Sequence, residues 1–262
     1  MVTYNRSFII LLAFQYFNQG CKAMLGLAVK NYYKEYLNLE PGYITKLSSI
    51  AGFPWSVKIL YGIVSDNVPI FGSKRKSYVV IMGLLQFVSL IVVFLFEVED
   101  EKYVTALLFM ASLSGAYLDV LVDALMVIQS RQDEEEGSEQ LQSLSWGAMG
   151  TGGMVGSLLG GYMTEYYHPK YSFLAYSLLG FIVMILGINL DKSAEQDGEE
   201  PSTGSFWTEL KSSLTQIKLA LQMPEIYRTI LFFVLCAIFS PGFSEFMYFF
   251  QLDVAKLSKI QY

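Results

Sequence analysis

The chain of 262 residues is 53% hydrophobic and 15% aromatic, but only 16% of its residues are charged, and its formal net charge is −6. A soluble domain carries about 25% charged residues, so this composition excludes an ordinary soluble enzyme or binding domain. The acidic balance says little about partners, but the lack of a basic tract argues against a nucleic-acid partner.

The apolar residues form seven runs separated by short polar segments, and each run is long enough to cross a bilayer as a helix. The predicted spans cover residues 7–29, 43–66, 77–97, 103–129, 141–165, 171–190 and 225–251. A membrane-spanning β-strand has about 10 residues of alternating polarity, whereas these runs are long and continuously apolar. The sequence therefore predicts an all-α, polytopic membrane helix bundle.

The distribution of lysine and arginine predicts the orientation of the chain, because these cations favour the cytoplasmic side. With the N-terminus inside, the predicted inner segments hold more cations than the outer ones, and Lys74, Arg75 and Lys76 lie together in a very short inner loop. The first apolar run lacks a small-residue cleavage site, so we interpret it as a span and not as a removed signal peptide. We expect an integral, multi-pass membrane protein with a cytoplasmic N-terminus.

The predicted organisation has three parts. Residues 1–190 form a bundle of six spans, residues 191–224 form a cytoplasmic linker with an amphipathic helix, and residues 225–262 hold the seventh span and a tail. Residues 191–204 are polar and contain Gly and Pro, which is typical of a flexible linker. In residues 205–222, apolar residues recur at spacings of three and four, which predicts a helix that lies on the inner membrane surface.

Charged side chains inside the predicted spans are the first candidates for a functional site, because each is costly there without a partner or water. These are Lys22, Lys58, Asp119 and Asp123. Counting about 1.5 Å per residue from the inner helix ends places Lys58 and Asp123 at one depth, roughly 12 Å up. This predicts a Lys58–Asp123 pair and leaves Asp119 to meet a substrate or a proton. The alternative is that all four only hold the bundle together.

Amide, aromatic and acidic side chains accompany these charges. Gln15 and Gln19 share one helix face, and Trp55 lies one turn before Lys58. Such groups could stack on a flat heteroaromatic solute and form hydrogen bonds with it. Glu245 follows Pro241-Gly242, which should break the seventh span, and broken helices often line transporter cavities. A Glu near the outer mouth is the simpler alternative.

Glycines at every fourth position of the fifth span, Gly152, Gly156 and Gly160, predict a face on which another helix packs closely. Alternatively, this thin face allows the helix to rock during transport. The single His lies in a predicted loop, and no cluster of metal ligands, activated nucleophile or phosphate-binding loop is evident, so we expect neither catalytic activity nor a metal or cofactor.

The stretch between the second and third spans has a distinctive layout. Gly62 and Asp66 lie one helical turn apart at the end of the second span, a short turn with Pro69 and Gly72 follows, and the three cations come next. This layout resembles the gating loop between helices 2 and 3 of a major facilitator transporter.

The chain as a whole, over about residues 8–251, resembles the folate–biopterin transporters of the major facilitator superfamily. The resemblance is carried by the segments Phe17-Asn18-Gln19-Gly20, Pro54-Trp55-x-x-Lys58-x-x-Tyr61-Gly62-x-x-Ser65-Asp66-x-x-Pro69-Ile70-x-Gly72, Asp119-x-x-x-Asp123, Trp146-Gly147, Gly156 and Gly160-Gly161. It implies 3+3 inverted repeats in the first six spans and alternating-access transport of folate, biopterin or a related pterin-like metabolite.

The resemblance also implies roles and partners. Lys22 and Lys58 would attract carboxylates, and Asp119 would accept a hydrogen bond from a pterin amino group or carry a coupling proton. The partners expected are the lipid bilayer and a small solute. The family has about twelve spans, so a second half would come from further chain or from a second half-transporter chain. The alternatives are a truncated, non-transporting subunit that associates through its helices, or a major facilitator carrier of a sugar or drug.

Overall fold

The computed structural model describes residues 4–96, 98–133, 135–195, 206–240 and 244–257. Within these residues the backbone is helical almost throughout, and the one strand-like feature is an isolated bridge between Ile70 and Ser73. The all-α helix bundle predicted from the sequence is therefore confirmed. The chain divides into a first unit over Met1–Glu199 and a second unit over Glu200–Leu257.

Long helices build the described part of the first unit. They are α1 (Arg6–Gly20), α2 (Lys22–Asn31), α3 (Pro41–Gly52), α4 (Lys58–Asn67), α5 (Lys76–Phe96), α6 (Glu101–Ser130), α7 (Gly137–Tyr166) and α8 (Lys170–Ile188). Local sequence explains several of their starts. The Asn5 side chain accepts hydrogen bonds from the backbone N–H groups of Ser7 and Phe8, at 2.9 and 3.3 Å, and so caps α1. Asp100 caps α6 in the same way through the Lys102 N–H.

The first and second predicted spans are both interrupted. The first breaks at Cys21, between α1 and α2, and the second contains a 3-10 turn, Phe53–Val57, between α3 and α4. Pro54 explains the second break, because proline has no N–H to donate within a helix. Each break directly precedes a lysine, so that Lys22 and Lys58 are the first residues of α2 and α4.

The helices of the first unit pack in three groups. Both α1 and α2 pack against α7, α3 and α4 pack against α6, and α5 packs against α8 as well as α6. The α5–α8 contact is especially close, because a Cβ added to Gly83 would lie 2.6 Å from the backbone nitrogen of Met184. An apolar core of buried side chains from α1, α5 and α6 includes Phe8, Val79 and Leu121.

Four described helical segments are long and apolar enough to cross a membrane: Pro41–Asn67, Lys76–Phe96, Glu101–Ser130 and Lys170–Ile188. They coincide with the predicted second, third, fourth and sixth spans. The first predicted span is divided at Cys21, and α7, at the fifth, is rich in glycine and serine; neither is among these four.

The second unit contains α9 (Phe206–Leu221), α10 (Pro224–Phe239) and the short α11 (Ser244–Phe249). The last part of α9, Thr215–Leu221, forms an angle of 80° with α10. Taken together as one bent pair, these helices would be a fifth candidate span. The expected break at Pro241-Gly242 lies outside the described residues, as does the side chain of Glu245 within α11.

Candidate functional site

The centre of the candidate site is an ion pair between α4 and α6. The Lys58 ammonium donates to Oδ2 of Asp119. The Asp119 side chain is only 7% exposed, whereas that of Lys58 is 34% exposed. The predicted Lys58–Asp123 pair is therefore wrong, and Asp119 is not left without a cationic partner.

The estimate of depth from the number of residues along each helix gave the wrong pair for a physical reason. A count of residues fixes the height of a Cα atom, but a lysine stem can reach about one helical turn, which is 5.4 Å. Asp119 and Asp123 differ by one turn, so both lie within reach of Lys58. The other partner decides between them, because the Tyr16 hydroxyl on α1 donates to Oδ1 of Asp123. Tyr16 was missed as a site residue, since no spacing along the chain indicates a contact between distant helices.

Trp55, in the 3-10 turn, forms a platform beside the ion pair. The Nζ atom of Lys22 lies 4.3 Å from the centroid of its ring, and Nζ of Lys58 lies 5.2 Å away. Both distances are within the range of a cation–π interaction. Gly115 on α6 lies close to the ring, since an added Cβ would be 3.7 Å from Cζ2 of Trp55. The structure thus brings together Lys22, Trp55, Lys58 and Asp119.

The two glutamines expected to accompany them are in different environments. Gln15 is 1% exposed, and its Oε1 accepts a hydrogen bond from Nδ2 of Asn18 at 3.3 Å. Asn18 in turn exchanges hydrogen bonds with Gln86 on α5, at 3.1 and 3.2 Å. Gln15 therefore belongs to a buried amide cluster between helices. Gln19 keeps a buried Oε1 with no hydrogen-bond partner among the described residues.

Three tyrosine rings, one each from α4, α5 and α6, form a stack. Tyr117 stacks between Tyr61, at 4.9 Å between ring centroids, and Tyr78, at 5.4 Å. The outer two rings are fixed by their hydroxyls, since Tyr61 donates to the carbonyl oxygen of Pro54 and Tyr78 donates to that of Val68. The stack joins α4, α5 and α6 near the loop.

The loop between α4 and α5, residues 68–75, resembles a gating loop and is called the gating loop below. Its last residue, Arg75, forms a second ion pair. Arg75 donates to Oδ1 of Asp66 and, at 2.6 Å, to the hydroxyl of Ser65. The turn is tight and needs glycine, because Gly72 has a φ of +73°. Lys74 is exposed, and Nζ of Lys76 donates to the carbonyl oxygen of Leu190 at 2.7 Å.

The glycine at position 62 of α4 is not explained by close packing. An added Cβ on Gly62 would meet Cγ1 of Val120 at an ordinary 3.6 Å, so packing alone does not demand glycine there.

The expectation of a flexible linker from residue 191 onward is wrong for its first residues. Lys192–Glu195 form a 3-10 turn, and Ala194 is fully buried.

The glycine face of α7 packs against α1 and α2 of the same chain. An added Cβ on Gly156 would lie 2.7 Å from Cα of Cys21, and one on Gly160 would lie 2.8 Å from Cα of Met24. A Cβ on Gly152 would collide with the carbonyl oxygen of Phe17. The first span of the same chain therefore packs on this face, which confirms the predicted close approach of another helix.

Among the described residues, no group of three or more His, Cys, Asp and Glu side chains is arranged to hold a metal ion. The site instead combines two lysines, a buried carboxylate and an indole ring. Such a set can attract an anion, stack against a flat ring and exchange one ion pair for another.

Several curated proteins are similar to this chain. It is 37% identical over 175 residues to "Probable folate-biopterin transporter 4" of Arabidopsis thaliana, covering 66% of this chain and 36% of that protein. Over 155 residues it is 33% identical to "Folate-biopterin transporter" of a Synechocystis strain, covering 59% and 31%. It is 26% identical over 252 residues to "Folate transporter 1" of Plasmodium falciparum, covering 93% and 50%.

The chain thus spans between about a third and a half of the length of these relatives. The family model of the BT1 family matches residues 19–262, which include α2 to α11, the Lys58–Asp119 pair and the gating loop. With nearly the whole sequence matched, the chain belongs to the BT1 family.

Proposed function

We propose that this chain forms the first half of a membrane carrier for folate, biopterin or a related pterin-like metabolite. The observation that carries the proposal is the Lys58–Asp119 pair beside Lys22 and Trp55, within helices long enough to cross a membrane. Charges at such positions mark substrate or ion pathways more often than they stabilise a bundle. The similarity to folate and folate-biopterin transporters supports the pterin class.

The packing of the helices supports a major-facilitator-like arrangement of two inverted 3+3 repeats. The first span packs against the fifth, the second against the fourth, and the third against the sixth. An inverted repeat relates spans 1, 2 and 3 to spans 4, 5 and 6. Under this relation the contact between spans 1 and 5 becomes the contact between spans 4 and 2, and the contact between spans 3 and 6 becomes itself. That is the pattern an inverted repeat requires, and alternating access uses the movement of such repeats around a central site.

In the proposed mechanism, positive charge at the site selects an anionic tail. Lys22 and Lys58 each begin a helix after a break, where the helix dipole adds partial positive charge. A substrate carboxylate competes with Asp119 for Lys58, whose side chain is one-third exposed, while the pterin ring stacks against Trp55. Asp119, released in a buried position, takes up one proton, so charge is conserved at the site.

An uptake assay in lipid vesicles tests the substrate assignment. Lys22→Met should lower folate uptake about tenfold, because a charged hydrogen bond is worth about 1.5–3 kcal/mol, and should affect uncharged biopterin less. Lys46→Met is the matched control, since Lys46 is an exposed lysine of α3 away from Trp55. Equal losses for folate and biopterin would reject the carboxylate role. The assay is made for this chain alone and together with a second half supplied by further sequence or by another chain.

Asp119→Asn tests the coupling role, because the variant keeps the shape of the side chain and removes its charge. It should abolish accumulation of substrate against a gradient. Because the variant also removes the partner of Lys58 and can lower stability, uptake is compared per amount of folded protein. Accumulation at the normal rate and with the normal pH dependence would make Asp119 a structural polar group instead.

We also propose that the gating loop and the linker lie on the cytoplasmic side, with α9 flat on the inner membrane surface. The 80° angle between the end of α9 and α10 supports this arrangement, because one helix can then lie in the membrane plane while the other enters the bilayer. Lys74→Cys places a thiol at an exposed loop position. It should resist a membrane-impermeant thiol reagent in intact cells, and ready labelling from outside would reverse the topology.

A further inference from the structure

The first residues of the linker are attached to the inner ends of several helices. The backbone N–H of Asp191 donates to the Ser7 hydroxyl at 3.0 Å, and Nδ2 of Asn5 donates to the Ser193 hydroxyl at 3.2 Å. Nε2 of Gln129 on α6 donates to the carbonyl oxygen of Ala194 at 3.2 Å. These contacts fix the segment that ends in Glu195.

Glu195 reaches the end of the gating loop. Its carboxylate accepts the Ser73 hydroxyl, at 2.8 and 2.9 Å from the two oxygens, and the backbone N–H of Lys76 at 2.6 Å. The Ser73 oxygen in turn accepts the backbone N–H groups of Arg75 and Ser77, each at 3.3 Å. A carboxylate that is 119 residues away in sequence therefore caps the start of α5. Negative charge is favourable at that end of a helix.

This arrangement holds the residues on both sides of Arg75. Ser73 precedes Arg75 by two residues and Lys76 follows it, so their common partner limits the directions in which the Arg75 side chain can point. That side chain is only 12% exposed and is directed to Asp66 and Ser65 at the end of α4.

We propose that Glu195 is a positioning residue of the gating loop: by holding Ser73 and Lys76 it directs Arg75 to Asp66, and it thereby couples the start of the linker to the state of the loop. The proposal rests on the proposed transport function only in treating residues 68–75 as a gate. A movement of the linker that withdraws Glu195 would free the start of α5 and release Arg75.

Hydrogen exchange tests the contact in the full 262-residue chain in lipid vesicles, without substrate. Glu195→Gln should speed the exchange of the Lys76 backbone amide about tenfold, because a neutral amide oxygen is a weaker acceptor than a carboxylate. It should also speed the exchange of the Arg75 and Ser77 amides, because their acceptor, the Ser73 hydroxyl, is then held less firmly. The matched control is Asp191→Asn, which makes the same chemical change in the same segment but lies away from the gating loop, with one 3.5 Å contact from Asn5. It should leave these amides unchanged.

Chemical modification of arginine tests the positioning itself, which a purely stabilising role would not affect. In wild type, Arg75 should react slowly with phenylglyoxal compared with the exposed Arg228 of α10, measured in the same sample by mass spectrometry. Glu195→Gln should raise the Arg75 rate several-fold while the thermal midpoint and the Arg228 rate stay constant. Ser73→Ala should reproduce this effect, and combining it with Glu195→Gln should add little.

The proposal is overturned if Arg75 reactivity and the exchange of the three amides in Glu195→Gln equal those in Asp191→Asn. It is also overturned if both rise only together with a general loss of protection in α8, which would indicate unfolding. Neither measurement needs a substrate. A wild-type chain that carries neither folate nor biopterin would defeat the proposed transport, while the two readouts would still decide the role of Glu195.

Discussion

Two ion pairs among the described residues of the first unit, one at the candidate site and one beside the gating loop, differ in their surroundings. Lys58–Asp119 lies between membrane-length helices with a carboxylate side chain that is 7% exposed, whereas Arg75–Asp66 lies at a helix end with a carboxylate that is 55% exposed. Desolvation makes a buried charge dependent on its partner, while water can replace the partner of an exposed one. Both pairs join a cation to an aspartate, but their burial differs. We therefore expect single substitutions to lower the stability of the protein strongly at Lys58–Asp119 and only slightly at Arg75–Asp66.

The largest effect is expected for Lys58→Met, which strands the Asp119 carboxylate in a buried position. Breaking a buried pair costs about 3–5 kcal/mol, measured as the free energy of unfolding in detergent. The double variant Lys58→Met with Asp119→Leu removes both charges and should recover most of that loss. Strict additivity of the two single substitutions would show that the two residues do not interact.

An intermediate effect is expected for Tyr16→Phe, which removes the hydroxyl that donates to Asp123 and keeps the ring. Leaving a buried acceptor unsatisfied costs about 1–3 kcal/mol. Thermal unfolding of the purified protein measures the loss, with Tyr103→Phe, an exposed tyrosine of α6, as the control. An unfolding temperature equal to that of the wild type would show that the Tyr16 hydroxyl does not stabilise Asp123, and the explanation of why Lys58 pairs with Asp119 would then be wrong.

The smallest effect is expected for Asp66→Asn. An exposed ion pair contributes about 0–1 kcal/mol, so the unfolding free energy should change by no more than this amount, and the change should shrink as salt is added. Titration of stability between low and high ionic strength checks the prediction. A loss as large as that of Lys58→Met would place the loop pair in a desolvated environment and remove the distinction between the two sites.

The positions of the helices could largely be predicted from the sequence. The predicted span 103–129 corresponds to Glu101–Ser130, and 77–97 corresponds to Lys76–Phe96, because long apolar runs with charged ends are read directly from the chain. The amphipathic helix predicted over 205–222 corresponds to Phe206–Leu221. The break at Cys21 was not predicted, since no proline or obvious cap marks it.

The candidate site was predicted in its members but not in its pairing. Lys22, Lys58 and Asp119 could be selected because charge is rare and costly inside a membrane span. Whether Lys58 binds Asp119 or Asp123 depends on Tyr16, which lies more than a hundred residues away from Asp123 and gives no local signal. Glu195 was assigned to a flexible linker for the same reason, since its partners Ser73 and Lys76 belong to another part of the chain.

The sequence by itself determined the all-α membrane class, the polar residues inside the spans, the glycine face of α7 and the membership of the BT1 family. These properties depend on composition, on periodicity and on residues close to one another in the chain. Only the tertiary structure decided which side chains meet. It brought α1 onto the glycine face, Tyr16 to Asp123, and Glu195 to the gating loop. The reason is that a hydrogen bond or ion pair requires its two partners within about 3 Å, and only helix packing sets distances between segments that are far apart in sequence.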